Sequence, residues 1–123
     1  MIKGIGIDIV EIDRLSRVLS RQPRLPERIL TLSEQDVFLT LSEKKRQLEF
    51  LAGRFAAKEA FAKAYGTGIG QHLSFHDIDI QKKDDKGKPF IKSEKAEGDQ
   101  VHVSITHTKE YAAAQVLIER LSS

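Results

Sequence analysis

Cysteine is absent from the 123 residues, and so are long apolar runs. Without cysteine the chain has no disulfide, zinc–thiolate site or thiol nucleophile, which fits a reducing compartment, so we expect a cytoplasmic protein. No apolar stretch approaches the ~18 residues that cross a bilayer. The apolar segment 1–7 ends at Asp8 and is too short for a signal peptide. We therefore expect no membrane partner.

The chain also has little net charge and few aromatic side chains. The formal net charge is only +2, and the chain has six phenylalanines, two tyrosines and no tryptophan. Modules that bind RNA or DNA combine basic surfaces with stacking aromatic side chains. We expect no nucleic-acid partner, although a run of arginines keeps such a module open as an alternative.

The overall balance, 40% hydrophobic and 31% charged residues, is typical of one globular domain spanning 1–123. Hydrophobic periodicity predicts a largely buried strand followed by helices, the last of them long: 2–10, 13–21, a helix from about Glu34, and 43–65 before Gly66. Alternation then predicts four strands, mostly antiparallel: 77–82, 88–92, 101–106 and 112–119. Helices followed by strands indicate an α+β fold.

Local signals set the expected boundaries of these elements. Asp13 is a candidate N-cap for the first helix, and Ser33 with Asp36 resembles a capping box for the next. Ser42 is a candidate start for the long helix. The turn 84–87 is expected to join two strands as a hairpin.

Arginine recurs at steps of three and four after the first strand. The residues are Arg14, Arg17, Arg21, Arg24 and Arg28. Pro23 and Pro26 interrupt any continuous helix across them. Residues 1–72 contain 12 basic and 9 acidic side chains. The run is either a solvated face or a docking face for an acidic partner.

Two carboxylates stand in apolar surroundings. Asp8 interrupts the first strand, so it needs a partner or a cation unless the strand ends at Ile7 and leaves it exposed. Glu59 lies in an Ala/Phe-rich helical segment, four residues before Lys63. An ordinary helical ion pair between them would contribute only about 0.2–0.5 kcal/mol. Stability is therefore a weak reason for Glu59.

Cations beside these carboxylates point to phosphate chemistry. Arg54 and Lys58 add basic charge near Glu59 in sequence. Mg²⁺ usually takes one or two protein carboxylates and completes its shell with phosphate oxygens and water. Asp8 and Glu59 are candidates for that pair if the fold brings them together, and a Mg²⁺-dependent phosphoesterase would use the same groups. His107 lies at the end of a predicted strand, just before a turn. It is either a residue of the functional site or an ordinary surface histidine.

Three segments together carry a family resemblance. They are Gly-Ile-Asp-Ile-Val-Glu at 6–11, Arg-Phe-Ala-Ala-Lys-Glu-Ala-Phe-Ala-Lys-Ala at 54–64 and Val-Ser-Ile-Thr-His at 103–107. In this order and length the chain resembles the holo-(acyl-carrier-protein) synthases, the short class of 4′-phosphopantetheinyl transferases. The resemblance implies transfer of 4′-phosphopantetheine from coenzyme A to a serine of apo acyl carrier protein, in fatty acid biosynthesis. It also implies Mg²⁺ as cofactor and a homotrimer with active sites between subunits.

The resemblance also implies roles for individual residues. Asp8 and Glu59 match the metal carboxylates, Lys63 matches the lysine beside the transferring phosphate, and these three are the expected catalytic residues, with Glu59 as metal ligand or base. Contacts to coenzyme A are implied for Lys44, Arg54, Lys63, Gly87, Pro89 and His107, the turn at 86–89 coming from a neighbouring subunit. The carrier protein is expected to meet Arg14, Arg17, Arg21 and Arg24.

Overall fold

The structure, a computed structural model, describes residues 1–83 and 86–121. Its elements follow the predicted order, and the α+β class is confirmed. They are β1 (Ile2–Glu11), α1 (Ile12–Arg21), α2 (Leu25–Ile29), α3 (Leu32–Thr40), α4 (Lys44–Tyr65), β2 (Asp79–Lys82), β3 (Pro89–Lys92), β4 (Asp99–His107) and β5 (Tyr111–Arg120). Short 3₁₀ turns at Phe75–Asp77 and Glu94–Ala96 precede β2 and β4.

The strands form two antiparallel sheets. One has three strands in the order β1-β5-β4, and the other is the hairpin of β2 and β3. Val10 of β1 and His107 of β4 both lie opposite Ala112 of the central strand β5. The end of β1 that carries Asp8 and the end of β4 that carries His107 therefore lie at the same end of the sheet.

Helix α4 packs across the three-stranded sheet and forms the centre of the core. Its buried face is built mainly from small residues, so the helix lies close to the strands. Phe61 supplies one of the few large buried side chains of this helix. The helix ends at Gly66, whose φ of 107° closes the last turn. The prediction for 43–65 is confirmed to within one residue.

Three helix starts differ from the expected caps, including that of α4, which was expected at Ser42. The N-cap of α1 is Glu11 without a side-chain hydrogen bond, and Asp13 lies inside the first turn. The capping box of α3 is formed by Thr31 and Glu34 rather than by Ser33 and Asp36. The reason is the start of α3 at Leu32, which makes Thr31 the N-cap residue and leaves the Ser33 hydroxyl to bind Asp79. Helix α4 begins after Glu43, which makes no side-chain cap.

The prediction that β1 is largely buried is wrong for the chain by itself. One face of β1 lies on α4, but Ile5, Ile7 and Ile9 on the other face are 58%, 59% and 65% exposed. An all-apolar strand indicates that both faces are covered, yet a sequence does not say whether the cover comes from the same chain.

The later strands agree with the predictions to within two residues. β2 begins at Asp79 because Phe75–Asp77 forms a 3₁₀ turn. β2 and β3 pair as the expected hairpin, but Asp84 and Asp85 of its turn lie outside the described residues. Within 1–83 and 86–121, no helix is both long enough and apolar enough to cross a membrane.

Candidate active site

The packing of β1 on α4 brings together three of the expected catalytic residues. Lys63 Nζ donates to Asp8 Oδ1 at 3.2 Å and to the Ile7 carbonyl oxygen at 2.9 Å. The Asp8 side chain is 19% exposed, so it is a half-buried carboxylate with a cationic partner. Among the described residues, Lys63 therefore pairs with Asp8 and not, as in an ordinary helical ion pair, with Glu59.

Glu59 shares this site with Asp8. Burial raises the pKa of the Glu59 carboxyl group above its ordinary value, and the negative charge of Asp8 raises it further. The ammonium group of Lys63 acts in the opposite direction. A cation between the two carboxylates would stabilise the charged form of Glu59.

A cavity of about 580 Å³ opens over these carboxylates. This carboxylate cavity lies between β1, α1 and α2. Asp8, Glu59, Glu11 and Arg14 supply its charged lining, and Leu15 and Phe55 are among its apolar residues. It is large enough for part of an organic substrate and has acidic groups on one wall.

A second cavity, of about 390 Å³, contains Arg54 and His107. Arg46 and Lys82 add positive charge to this basic cavity, and Glu49 lies among them. His107 Nε2 is 3.6 Å from Glu49 Oε2. A pocket with four basic side chains suits an anionic group such as a phosphate.

The guanidinium group of Arg54 packs on an aromatic ring, but one of its hydrogen-bond donors has no acceptor in the described part of the chain. Its guanidinium carbon lies 4.4 Å from the centre of the Phe50 ring. Its Nε atom is buried, and it finds no hydrogen-bond partner in the described part of the chain. Burial is the main cause that lowers the pKa of Arg54, although the guanidinium stays charged. A buried donor without an acceptor is what a ligand anion would satisfy.

Three other residues expected to contact coenzyme A lie apart from both cavities. Lys44 is exposed at the first residue of α4, Gly87 has a φ of 76° in the hairpin turn, and Pro89 begins β3. None of the three lines the carboxylate cavity or the basic cavity. Lys82 of the same hairpin does line the basic cavity, so the hairpin borders it.

The arginines follow the break that the prolines predict. Arg14, Arg17 and Arg21 lie on α1, whereas Arg24 is the N-cap residue of α2. Arg14 lines the carboxylate cavity, and Arg24 binds the carboxylate of Glu27. We call Arg14, Arg17, Arg21 and Arg24 the arginine face. It adjoins the carboxylate cavity through Arg14.

Comparison with known proteins places this arrangement in a family. The sequence model of the 4′-phosphopantetheinyl transferase superfamily matches residues 4–116. The chain belongs to this superfamily. Over all 123 residues, and over the whole of each relative, it is 86% identical to a holo-(acyl-carrier-protein) synthase of Bacillus pumilus and 64% identical to one of Bacillus subtilis.

A solved structure agrees with this membership. A holo-(acyl-carrier-protein) synthase from Bacillus anthracis, crystallised in complex with CoA (3′,5′-ADP), has a TM-score of 0.89 and 49% identity, and the match covers 98% of each chain. The activity predicted from the sequence, transfer of phosphopantetheine to an acyl carrier protein, is thereby confirmed as that of the family.

Lys58 does not belong to the carboxylate site, contrary to its grouping with the cations near Glu59. Its side chain is fully buried, and its Nζ lies 2.6 Å from Glu34 Oε1. Successive residues of a helix point about 100° apart, so neighbours in sequence face different surroundings. Burial lowers the pKa of Lys58, and the Glu34 carboxylate opposes that effect.

The basic cavity also contains residues that sequence reasoning missed. Arg46 and Glu49 line it, together with Phe50. A pattern was present, because Arg46, Phe50 and Arg54 recur at steps of four on α4 and so share one face. Glu34 had no comparable pattern, since its partner Lys58 is 24 residues away.

Proposed function

We propose that this chain transfers the 4′-phosphopantetheine group of coenzyme A to a serine of apo acyl carrier protein and releases adenosine 3′,5′-bisphosphate. The observation that carries the proposal is the meeting of Asp8 and Glu59 at one cavity, with Lys63 bound to Asp8 beside them. These are the groups that phosphoryl transfer needs, because its catalysis is mainly positioning and charge stabilisation.

Asp8 and Glu59 would hold a magnesium ion in this proposal. The residues fit that ion, because two neighbouring carboxylates provide hard oxygen ligands and the pKa of Glu59 is raised by burial and by the negative charge of Asp8. The described residues contain no group of three or more acidic or histidine side chains that would form a complete protein cage. Bound there, Mg²⁺ would neutralise charge on the phosphates of coenzyme A.

Proton transfer falls to Glu59. The attacking hydroxyl belongs to the carrier protein, so a base must accept its proton; Glu59 is the nearest candidate, directly or through a water molecule, and burial raises its pKa in the metal-free chain. Lys63 is held by Asp8 and the Ile7 carbonyl, with donors available to a phosphate oxygen. Lys63 then stabilises the charge that develops on the phosphate or on the leaving group.

The adenosine end of coenzyme A would occupy the basic cavity. The unpartnered Nε of Arg54 and the imidazole of His107 support contacts to its 3′-phosphate. Lys44 lies at the N-terminus of α4, where a phosphate would also meet the positive end of the helix dipole. Gly87 and Pro89 would contact adenine from a neighbouring subunit.

The arginine face is proposed as the docking surface for the carrier protein. Arg14, Arg17 and Arg21 are exposed on α1, and Arg14 borders the cavity where the serine must arrive. Arginine suits an acidic partner because its guanidinium binds carboxylates in two-point contacts. Arg24 is already paired with Glu27, so it would have to exchange partners.

Assembly as a homotrimer, with active sites between the subunits, completes the proposal. The exposed isoleucines of β1 support it, since contiguous apolar patches on a surface typically mark interfaces. We place the enzyme in the cytoplasm and in fatty acid biosynthesis, where the carrier protein needs its prosthetic group.

Intact-mass analysis of a purified apo acyl carrier protein tests the function. Incubation with this protein, coenzyme A and Mg²⁺ should add one phosphopantetheine to the carrier. Omission of Mg²⁺ or the variant Glu59→Ala should abolish the gain, whereas Glu97→Ala, an exposed glutamate outside both cavities, should leave it intact. Consumption of coenzyme A without any carrier would instead indicate a phosphoesterase.

A further inference from the structure

Two glycines of strand β1 lie directly against the backbone of helix α4. A Cβ atom on Gly4 would lie 1.9 Å from the Ala64 carbonyl oxygen, and one on Gly6 would lie 1.9 Å from the Ala60 carbonyl oxygen. Real Cβ atoms essentially never come within 3.0 Å of another heavy atom. A methyl group at either position must therefore displace the strand from the helix by about 1 Å, because the facing atoms are backbone in a close-packed core.

One of these two contacts lies directly beside the carboxylates. Gly6 and Asp8 are on the same face of β1, since alternate residues of a strand share a face. Gly6 rests on Ala60, the residue after Glu59. Gly4 rests on Ala64, one turn further along α4, which follows Lys63 and not a carboxylate expected to bind the metal. The two glycines make the same kind of contact at different distances from the site.

We propose that Gly6 is a positioning residue for the metal-binding pair: its missing side chain sets the separation of Asp8 from Glu59. This inference rests on the proposed function, which gives the two carboxylates a shared metal ion. Mg²⁺ demands near-octahedral geometry with ligand distances of about 2.0–2.1 Å. Misplacement of a reacting group by about 1 Å costs on the order of 100-fold in rate, so a carbon at position 6 should matter far more than one at position 4.

The variants Gly6→Ala and Gly4→Ala form a matched pair. Each adds one methyl group against a helix carbonyl at the same 1.9 Å, so both should lower the melting temperature by similar amounts. Mn²⁺, an octahedral probe for the Mg²⁺ site, is titrated by electron paramagnetic resonance into protein saturated with coenzyme A. Its affinity should fall on the order of 10- to 100-fold in Gly6→Ala, as is typical when a group that orients metal ligands is changed, and less than about threefold in Gly4→Ala.

Lengthening the carboxylate provides the second test. Asp8→Glu moves the carboxylate outward by about one methylene, so in the otherwise unchanged chain Mn²⁺ affinity should fall at least about tenfold. In the Gly6→Ala background the same change compensates for the retreat of the strand. The double variant should therefore bind Mn²⁺ more tightly than Gly6→Ala alone, a reversal that loss of stability does not produce.

Each outcome decides the question. Equal losses of Mn²⁺ affinity in Gly6→Ala and Gly4→Ala, or no recovery in the double variant, would overturn the positioning role. If Gly6→Ala does not fold, Asp8→Glu still tests the premise: an undiminished Mn²⁺ affinity overturns the positioning role, because the site then tolerates a displaced carboxylate. A wild-type chain that binds no Mn²⁺ would overturn the metal site itself, and the positioning role with it.

Discussion

At the scale of single residues, Glu59 shows that its site is not arranged for stability. Burial and the charge of Asp8 both favour the protonated form of its carboxyl group, and only Lys63 opposes them. A protein stabilised at this position would carry a neutral side chain there. A raised pKa is useful to a base that works near neutral pH, and such local cost is common where function requires it.

The raised pKa of Glu59 predicts how the variant Glu59→Gln changes stability with pH. A carboxyl group whose pKa is higher in the folded than in the unfolded chain binds more protons when folded, so its contribution to stability falls as pH rises through that interval. We expect Glu59→Gln to raise the melting temperature of metal-free protein at about pH 7.5, and the gain to vanish below the pKa of the unfolded state. Differential scanning calorimetry in EDTA measures both.

The control for this prediction is Glu97→Gln, which removes a charge from an exposed position. Its melting temperature should follow that of the wild-type chain across the same pH range. A Glu59→Gln variant that melts below wild type at neutral pH would contradict the direction of the pKa shift.

At the scale of elements, Lys58 connects the long helix α4 to α2, α3 and the segment that leads into β2. Its Nζ donates to Glu34 Oε1 at the start of α3, to the Ile29 carbonyl at the end of α2 and to the Phe75 carbonyl before β2. Glu34 Oε2 in turn accepts from the Ile80 amide of β2 at 2.7 Å. One buried ion pair thus ties α4 to four neighbouring segments, and its remaining polar atoms are satisfied by backbone groups.

Breaking this pair from one side should be costly. Lys58→Met leaves the Glu34 carboxylate buried without its cation, and we expect the free energy of unfolding to fall by about 3–5 kcal/mol. Adding Glu34→Gln to that variant should recover part of the loss, because the uncompensated charge is gone. Lys45→Met, at an exposed position of the same helix, should change stability by about 0.5 kcal/mol or less. Urea unfolding curves of the four proteins measure this, and equal losses for Lys58→Met and the double variant would argue against the charge as the cause.

Features that depend on a few neighbouring residues were predictable from the sequence, whereas contacts between distant segments were not. Gly66 ends α4 as expected, because the signal that ends a helix lies in the residue at its C-terminus. Asp8 and Glu59 stood out because a carboxylate in an apolar segment is anomalous within a few residues. Their meeting, and the pairing of Lys58 with Glu34, depend on contacts between segments that are distant in sequence, about which helical or strand periodicity is silent.

At the scale of the whole molecule, the outer face of the three-stranded sheet exposes a row of apolar side chains that is unusual for a domain that stays monomeric in water. Ile5, Ile7 and Ile9 stand in a row on β1, each more than half exposed. Leu117 of the neighbouring strand β5 faces the same side, opposite Ile5 in the register. Isolated exposed apolar residues are ordinary, but a contiguous row on a sheet is typical of a surface that another protein covers.

A charge on this row should separate the proposed subunits. Ile5→Glu places a carboxylate at an apolar interface without touching the core, because the side chain at position 5 points away from α4. We expect light scattering to give the trimer mass for wild type and the monomer mass for Ile5→Glu. Leu39→Glu, which charges an even more exposed apolar residue on α3, should remain trimeric. Because the proposed active sites lie between subunits, the Ile5→Glu monomer should also lose transfer to the carrier protein while circular dichroism shows a folded chain. A folded monomer with full activity would place the whole active site within one chain, and an intact Ile5→Glu trimer would move the interface away from this sheet.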